Sequence, residues 1–282
     1  MFNQYDFNVY LLIILSYIAI LQNDDQIYFL KTEWFQNYWT ISLPIAAVYI
    51  SIVLFSHKVW KKQYEPIGHR RLLKYWNFAL SVFSVFGAYR VCSEFVQTFN
   101  QHGLVDTFCK NHYFQSRSVY FWYCMFVLSK AVEMGDTMFL IAGNKPVRFI
   151  HWYHHTVTMI YSFYIAVYLP AIGRWMCSMN FIVHSLMYTY YFITAHQLKI
   201  SPKISMIITT LQTVQMFIGL FVNTAAFVSE KFFGYSCQNG GYTAEAGIIL
   251  YSSYVILFVN LFHHQLLQAT RINKLTNNKK MQ

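Results

Sequence analysis

Seven apolar runs of about 20 residues each constrain the fold of this chain more than any other feature. A helix needs roughly 20 mostly apolar residues to cross about 30 Å of hydrocarbon, and lipid offers no partner for an unpaired backbone amide. We therefore predict an all-α polytopic membrane protein with seven transmembrane helices, at about Tyr38–Ser56, Leu73–Phe95, Ser118–Ile141, Ile150–Leu169, Trp175–Thr194, Ile204–Val228 and Ala246–Leu267.

The composition agrees with a membrane protein. Of 282 residues, 56% are hydrophobic and 11% are charged, whereas soluble domains contain roughly 25% charged residues. The net charge of +10 does not indicate a nucleic-acid partner, because Lys and Arg fall in short loops between the apolar runs instead of one patch. We expect membrane lipid, and no nucleic acid, to contact this chain.

The basic residues also predict an orientation. One set of loops, with the C-terminal tail, carries 14 Lys and Arg residues, and the opposite set carries 5. Cytosolic loops are the more basic ones, so we expect a cytosolic C-terminus and, with seven spans, a lumenal N-terminus. The short apolar stretch Phe7–Leu21 is expected to form an interfacial or half-buried helix; an eighth span, which would return the first six residues to the cytosol, is the alternative.

These boundaries divide the chain into three parts. We expect residues 1–37 to form a lumenal N-terminal segment, residues 38–268 a domain of seven membrane helices, and residues 269–282 a basic cytosolic tail. Lys279 and Lys280 match a di-lysine retrieval signal for the endoplasmic reticulum membrane. The alternative is a basic tail near anionic lipid headgroups.

Three histidines share one face of the fourth predicted span. His151, His154 and His155 have the i, i+3, i+4 spacing that brings helical side chains together. Ionisable residues inside a membrane are costly, and they indicate a functional site by default.

Three other spans carry polar residues at comparable depths. The third span carries Lys130, Glu133, Asp136 and Thr137; the fifth carries Asn180, His184, Tyr188 and Tyr191; the sixth carries Gln212 and Gln215. Singly, such residues often form hydrogen bonds that hold membrane helices together. Lys130 and Glu133 also fit a buried ion pair with a purely structural role. Together they indicate a polar reaction centre at the head of an apolar tunnel that opens to the cytosol.

Two other classes fit the sequence less well. Membrane di-iron desaturases and hydroxylases use an HxxHH box, since clustered imidazoles suit iron, but they need several boxes and this chain has one. We therefore predict no metal. A seven-helix receptor or channel does not need three histidines within one and a half helical turns.

Four motifs resemble those of the ELO family of very-long-chain fatty acid elongases. Lys130 to Thr137 matches KxxExxDT, and His151 to His155 matches HxxHH. Asn180 to Tyr191 matches NxxxHxxMYxYY, and Thr209 to Gln215 matches TxxQxxQ. The resemblance covers about Leu73 to Leu267. Trp152, Tyr153 and Pro146 resemble the branch that handles saturated and monounsaturated chains.

The resemblance implies six helices in a barrel around a closed-ended acyl tunnel. It also implies the condensing step of microsomal elongation, in which acyl-CoA and malonyl-CoA give 3-oxoacyl-CoA, CO2 and CoA. No cofactor beyond these co-substrates is implied. Long-chain acyl-CoA and malonyl-CoA are the expected partners, and contacts with other elongation-cycle enzymes and a homodimer are left open.

The resemblance assigns roles to the site residues. His154 is expected to carry the acyl group as an acyl-imidazole, His184 to bind or shuttle protons, and Glu133 and Asp136 to orient imidazoles. His151 and His155 are placed in the catalytic group without individual roles. The expected substrate-binding residues are Lys130, Thr137, Asn180, Tyr188, Tyr191, Gln212 and Gln215.

Two further expectations concern the lumenal side. Cys109 and Cys237 both fall in lumenal loops, where an oxidising compartment permits a disulfide and free thiols are the alternative; the resemblance favours the disulfide. The closed end of the tunnel is expected near Phe86 to Arg90 and Leu220 to Asn223, with Phe221 as the residue to truncate.

Overall fold

The computed structural model describes residues 4–25, 32–59 and 68–280, and these residues are helical apart from turns and short loops. The side chains at 271–280, which include Lys279 and Lys280, lie outside that description, as do residues 60–67 with Lys61 and Lys62. The helices are α1 (Gln4–Asn23), α2 (Thr32–Tyr38), α3 (Ser42–Val59), α4 (His69–Cys109), α5 (Arg117–Val132), α6 (Gly135–Ala142), α7 (Phe149–Tyr168), α8 (Gly173–Ala195), α9 (Pro202–Phe233) and α10 (Thr243–Lys280).

The predicted apolar runs all lie on helices, and the third run is divided. It forms α5 and α6, which are separated at Glu133 and Met134. Five stretches among the described residues are long and apolar enough to cross a membrane: Tyr5–Asn23, Glu33–Ser56, His69–Cys109, Pro202–Phe233 and Thr243–Leu267. Helices α7 and α8 carry the polar motifs, which lower their apolarity.

Local sequence explains where several helices begin and end. Ser201 caps α9 by accepting a hydrogen bond from the Lys203 amide, and Pro202 occupies the first turn, where its missing N–H costs nothing. Gly234 ends α9 at φ +67°, a left-handed conformation that glycine adopts without strain. Gly103, at φ +83°, marks a kink inside α4.

Six helices contact one another in a closed order. Helix α4 contacts α8, α8 contacts α9, and α9 contacts α10. Helix α10 contacts α7, α7 contacts α5, and α5 contacts α4, which closes the order. Helix α3 packs against α7, and α1 packs against α4. We call the end at which α7 begins the box end, and the opposite end the disulfide end.

Helix α1 lies along α4 and runs in the same direction. Tyr75 donates a hydrogen bond to Asp6 at the start of α1. At its end, buried Asp24 accepts hydrogen bonds from Arg90 Nε at 2.8 Å and Trp122 Nε1 at 2.8 Å. At about 1.5 Å per residue, these anchors lie roughly 27 Å apart along α1 and roughly 22 Å apart along α4. Helix α1 therefore follows the bundle over a length close to the hydrocarbon thickness of about 30 Å, and the choice between an interfacial helix and an eighth span stays a prediction.

A buried arginine closes the disulfide end. Arg174 is 0% exposed, and its Nε and Nη2 atoms donate to both carboxylate oxygens of Glu94 at 2.9 and 3.0 Å. Its Nη1 atom donates to the carbonyls of Thr107 and Lys110. Cys109 and Cys237, the pair favoured by the resemblance, are joined by a disulfide beside it. One side chain thus ties α4, α8 and the following loop together.

Candidate active site

The three box histidines lie in the first two turns of α7, at the box end. The ring centroids of His151 and His155 are 4.6 Å apart, and those of His154 and His155 are 5.8 Å apart. The spacing therefore brings the three imidazoles together, as the sequence predicts.

The ring of His154 contains a buried nitrogen that no hydrogen bond engages among the described residues. This nitrogen is Nδ1. The rings of Tyr254 and Phe258, both on α10, lie 4.7 and 5.7 Å from it. A buried polar atom without a partner requires an explanation, and a nitrogen kept available for chemistry supplies one.

His184 on α8 is held by polar partners. Asn180 Nδ2 lies 3.1 Å from His184 Nε2, and Asn180 Oδ1 accepts from Lys130 Nζ at 2.7 Å. With its oxygen turned to the ammonium, the amide donates to Nε2, and the His184 proton then lies on Nδ1. That nitrogen is 3.6 Å from Glu133 Oε1. Glu133 is therefore the carboxylate placed to orient a histidine.

The break between α5 and α6 places Glu133 and Asp136 in different surroundings. Glu133 turns inward to Lys130, with Nζ to Oε1 at 2.6 Å. Asp136 instead accepts from Trp76 Nε1 at 2.6 Å and from the Tyr188 hydroxyl at 2.8 Å. Among the described residues, no histidine is hydrogen-bonded to Asp136, so its role in orienting an imidazole stays a prediction.

Sequence reasoning missed two residues that hold α6 in place. A Cβ on Gly135 would lie 2.6 Å from the Trp76 ring, so the glycine of the KxxExxDT motif allows Trp76 to reach Asp136. The Tyr49 hydroxyl lies 2.6 Å from Thr137 Oγ1, which is 2.9 Å from His151 Nε2. Neither Trp76 nor Tyr49 belongs to one of the four motifs, so only the fold reveals them.

Several residues expected to bind substrate occupy other positions. Lys130 is 2% exposed, and its ammonium donates to Glu133 and Asn180. Tyr188 is buried against Asp136, and Tyr191 is exposed. Gln212 donates to Met187 Sδ at 3.3 Å. Exposed Lys145 and Arg148, in the loop before α7, are the basic residues nearest the box in the chain.

A narrow cavity extends from His154 towards the disulfide end. Asn180 and Gln215 contribute to its wall together with His154, and one face of α7 lines it along its length. At about 1.5 Å per residue, Ile165 lies roughly 16 Å from His154 along α7. The full lining is Phe126, His154, Thr158, Tyr161, Ser162, Ile165, Met176, Asn180, Gln215, Met216, Leu250, Tyr251 and Tyr254.

The cavity does not reach the residues expected at the closed end of the tunnel. None of the residues from Phe86 to Arg90 lines it, and Phe221 is 64% exposed on the outer face of α9. Ile165, Met176 and Leu250 lie at the far end instead. The expectation placed α4 in the wall of the cavity, but α5, α7, α8, α9 and α10 supply that wall.

The described residues contain no group of three or more His, Cys, Asp or Glu side chains arranged to hold a metal ion. The box histidines face Thr137, Tyr254 and Phe258. The absence of a metal remains a prediction from the single histidine box.

Sequence comparisons relate the chain to a known family whose matched span includes the site. A family model described as ELO, the GNS1/SUR4 family, matches residues 34–274. The chain is 36% identical over 230 residues to a human very long chain fatty acid elongase 3, covering 81% of this chain and 84% of the relative. It is 36% identical over 250 residues to a Drosophila melanogaster very long chain fatty acid elongase 6, with 88% and 78% covered. No solved structure matches significantly.

A third relative has similar sequence identity. A putative fatty acid elongase 3 of Caenorhabditis elegans is 33% identical over 254 residues, covering 89% of this chain and 78% of the relative. Helix α1 lies outside the span of the family match, whereas every polar residue described around His154 and His184 lies inside it.

The Lys130–Glu133 pair predicts an asymmetry between single and double variants. Glu133→Leu leaves a buried ammonium without its carboxylate, which we expect to lower the free energy of unfolding by about 3–5 kcal/mol. Lys130→Met combined with Glu133→Leu removes both charges and should cost much less. Thermal unfolding of the purified variants in detergent measures the difference, with exposed Lys145→Met as a control without effect. A double variant as unstable as Glu133→Leu contradicts the pairing.

Proposed function

The chain belongs to the ELO (GNS1/SUR4) family, and we infer that it is the condensing enzyme of fatty acid elongation. It is a multi-pass membrane acyltransferase that joins acyl-CoA to malonyl-CoA, releasing CO2 and CoA and lengthening the acyl chain by two carbons. One observation supports His154 as the reacting residue. Its Nδ1 atom has no hydrogen-bond partner among the described residues, and its ring lines a cavity that runs between five helices.

In the first step, His154 attacks the thioester carbonyl. The new bond joins an imidazole nitrogen to the acyl carbon, and the carbon–sulfur bond breaks. The proton that the ring loses goes to the departing thiolate, which leaves as CoA. Histidine acts as a nucleophile when its surroundings activate it, and the buried, unbonded Nδ1 atom supports a ring free to react.

In the second step, malonyl-CoA loses CO2, and the resulting enolate carbon attacks the held acyl group. The nitrogen–acyl bond breaks, the departing imidazolate takes up a proton from water to restore neutral His154, and 3-oxoacyl-CoA is released. Asn180 and Gln215 line the same cavity as His154, and an amide N–H that donates to a developing oxyanion contributes about 3 kcal/mol. His184, with its proton directed towards Glu133, is placed to bind the enolate or move a proton.

An acyl-enzyme adduct on His154 is the central prediction. Acyl-CoA without malonyl-CoA should add one acyl mass to the purified protein and release one CoA. His154→Ala should abolish the adduct, because it removes the ring that carries the buried nitrogen without a hydrogen-bond partner among the described residues. Intact-protein mass spectrometry with a parallel assay of free CoA measures both quantities.

The matched control is His155→Ala, which removes a neighbouring imidazole from the same helical turn. Thermal unfolding establishes that each variant is folded. A full adduct in folded His154→Ala would overturn the assignment of the acyl carrier, while condensation without any adduct in the wild type would overturn the two-step route.

We propose that α4, α5, α7, α8, α9 and α10 form a barrel and that its cavity holds the acyl chain. The closed order of their contacts supports this arrangement, and Arg174 with the disulfide supports a closed far end. A chain of C–C bonds of about 1.5 Å advances about 1.25 Å per methylene. The roughly 16 Å from His154 to Ile165 along α7 then corresponds to about 13 methylenes.

Truncation at the closed end should lengthen the products. Met176→Ala or Ile165→Ala enlarges the cavity beyond Tyr161, so the longest product should gain at least two carbons. Such truncations cost about 2–5 kcal/mol of stability, so the amount of folded protein must be measured alongside. Phe221→Ala removes an exposed ring of similar size and serves as the control. Gas chromatography of the products gives the length distribution; unchanged products in both cavity variants would contradict the tunnel assignment.

We propose that the box end faces the cytosol, where acyl-CoA and malonyl-CoA are available, and that the enzyme lies in the endoplasmic reticulum membrane. The basic loops at that end support the orientation. The parallel packing of α1 on α4 supports α1 as an additional span. Because α1 then starts at the same end as α4, Asp6 lies on the cytosolic side instead of the lumenal side. Retrieval through Lys279 and Lys280, a homodimer and contacts with other elongation enzymes stay predictions.

Glycosylation mapping tests this topology. An acceptor sequon fused before residue 4 should remain unmodified in microsomes, because the start of α1 faces the cytosol. The same sequon inserted after exposed Gly234 should be modified at the lumenal end. Modification at the first position would restore the lumenal N-terminus and exclude α1 as a span.

A further inference from the structure

Tyr49 reaches the histidine box from outside the ring of six helices. It lies on α3, which packs against α7, and its side chain is 4% exposed. Its hydroxyl is 2.6 Å from Thr137 Oγ1, and Thr137 Oγ1 is 2.9 Å from His151 Nε2. Three polar groups on α3, α6 and α7 therefore form one continuous chain that ends on a box imidazole.

The number of available hydrogens fixes the direction of this chain. Each hydroxyl has one hydrogen to donate. If Thr137 donated to Tyr49, the buried Tyr49 hydrogen would be left without an acceptor among the described residues, and an unsatisfied buried donor is costly. Tyr49 therefore donates to Thr137. If His151 Nε2 also donated to Thr137, the hydrogen of buried Thr137 would have no acceptor among the described residues, so Thr137 donates to His151.

This direction determines the form of His151. A nitrogen that accepts a hydrogen bond carries a lone pair, so Nε2 is unprotonated and the ring hydrogen of neutral His151 lies on Nδ1. The lone pair on Nε2 is then engaged by Thr137 and is not available to attack a thioester.

Other orienting groups do not compete for His151. The carboxylate of Asp136, next to Thr137 in the chain, is held by Trp76 and Tyr188. Glu133 faces Lys130 and His184. Among the described residues, Thr137 is the polar partner that the structure gives the His151 ring.

We propose that Tyr49 is a positioning residue that acts through Thr137 to hold His151 as the Nδ1–H tautomer, so that this box histidine is a hydrogen-bond donor and not the acyl carrier. The consequence for catalysis rests on the proposed function, whereas the tautomer does not. His151 and His154, one helical turn apart, thus have opposite roles, with one ring fixed by a chain from α3 and the other left free.

The test is the nitrogen spectrum of the histidine rings. In protein labelled with 15N-histidine, the His151 signals are assigned by their loss in His151→Asn. The wild type should show a protonated Nδ1 and an unprotonated Nε2. Tyr49→Phe removes one oxygen, and the His151 signals should move towards the Nε2–H form, because Thr137 is then no longer committed to donating to the ring.

Two matched variants separate positioning from general loss of a buried hydroxyl. Tyr113→Phe removes a buried hydroxyl that donates to the Pro170 carbonyl at 2.7 Å, at the disulfide end, and should leave the His151 signals unchanged. Thr137→Ser keeps the relay and should preserve them, while Thr137→Val should reproduce the change seen in Tyr49→Phe.

Kinetics provide the second readout. A catalytic histidine in the wrong tautomer loses most of its effect, so kcat of Tyr49→Phe should fall roughly 10-fold or more with little change in KM for acyl-CoA. An unchanged His151 tautomer in Tyr49→Phe, or an equal change in Tyr113→Phe, overturns the proposal. If the wild type proves inactive as an elongase, the proposed function fails, and the spectra still decide the role of Tyr49.

Discussion

The ion pair between Lys130 and Glu133 is the interaction on which the geometry of this site depends. The two charges meet at 2.6 Å at the point where α5 ends and α6 begins. A buried charge in a low-dielectric interior is tolerated only with a close partner and further hydrogen bonds. Lys130 obtains these from Glu133 and Asn180, and Glu133 also faces His184. The pair therefore stabilises the helix break and orients the amide and imidazole of α8.

The helix break gives neighbouring residues of one motif separate tasks. Glu133 turns towards α8, Asp136 turns towards Trp76 on α4 and Tyr188 on α8, and Thr137 turns towards α3 and α7. In an unbroken helix, Glu133 and Thr137 would share one face. The short segment α6 thus contacts α3, α4, α7 and α8 at the box end, and its contact with His151 helps to position the imidazoles.

The sequence predicted the helices and the gathering of polar residues because both follow from local rules. Apolar length predicts helices, and the i, i+3, i+4 spacing predicts which histidines meet. It did not predict that Lys130 is buried, that Asp136 binds Trp76, or that Phe221 faces outward. Those facts depend on the rotation of each helix about its axis and on the break at Met134, which are set by packing between distant segments. Periodicity in α9 was equally compatible with several faces turned inward, since apolar residues surround it on all sides.

The three box histidines show why a motif does not assign roles by itself. They share one face of α7, yet their surroundings differ because different helices approach each ring. Thr137, supported by Tyr49 from α3, contacts His151, whereas Tyr254 and Phe258 from α10 flank His154 with aromatic rings and leave its Nδ1 atom unbonded. An imidazole that accepts a hydrogen bond has a defined tautomer, and its lone pair is occupied. An imidazole nitrogen without a hydrogen bond keeps its lone pair for a substrate. The division of labour within the box is therefore a property of its neighbours on α3, α6 and α10, and substitutions in those helices alter it without changing any residue of the motif.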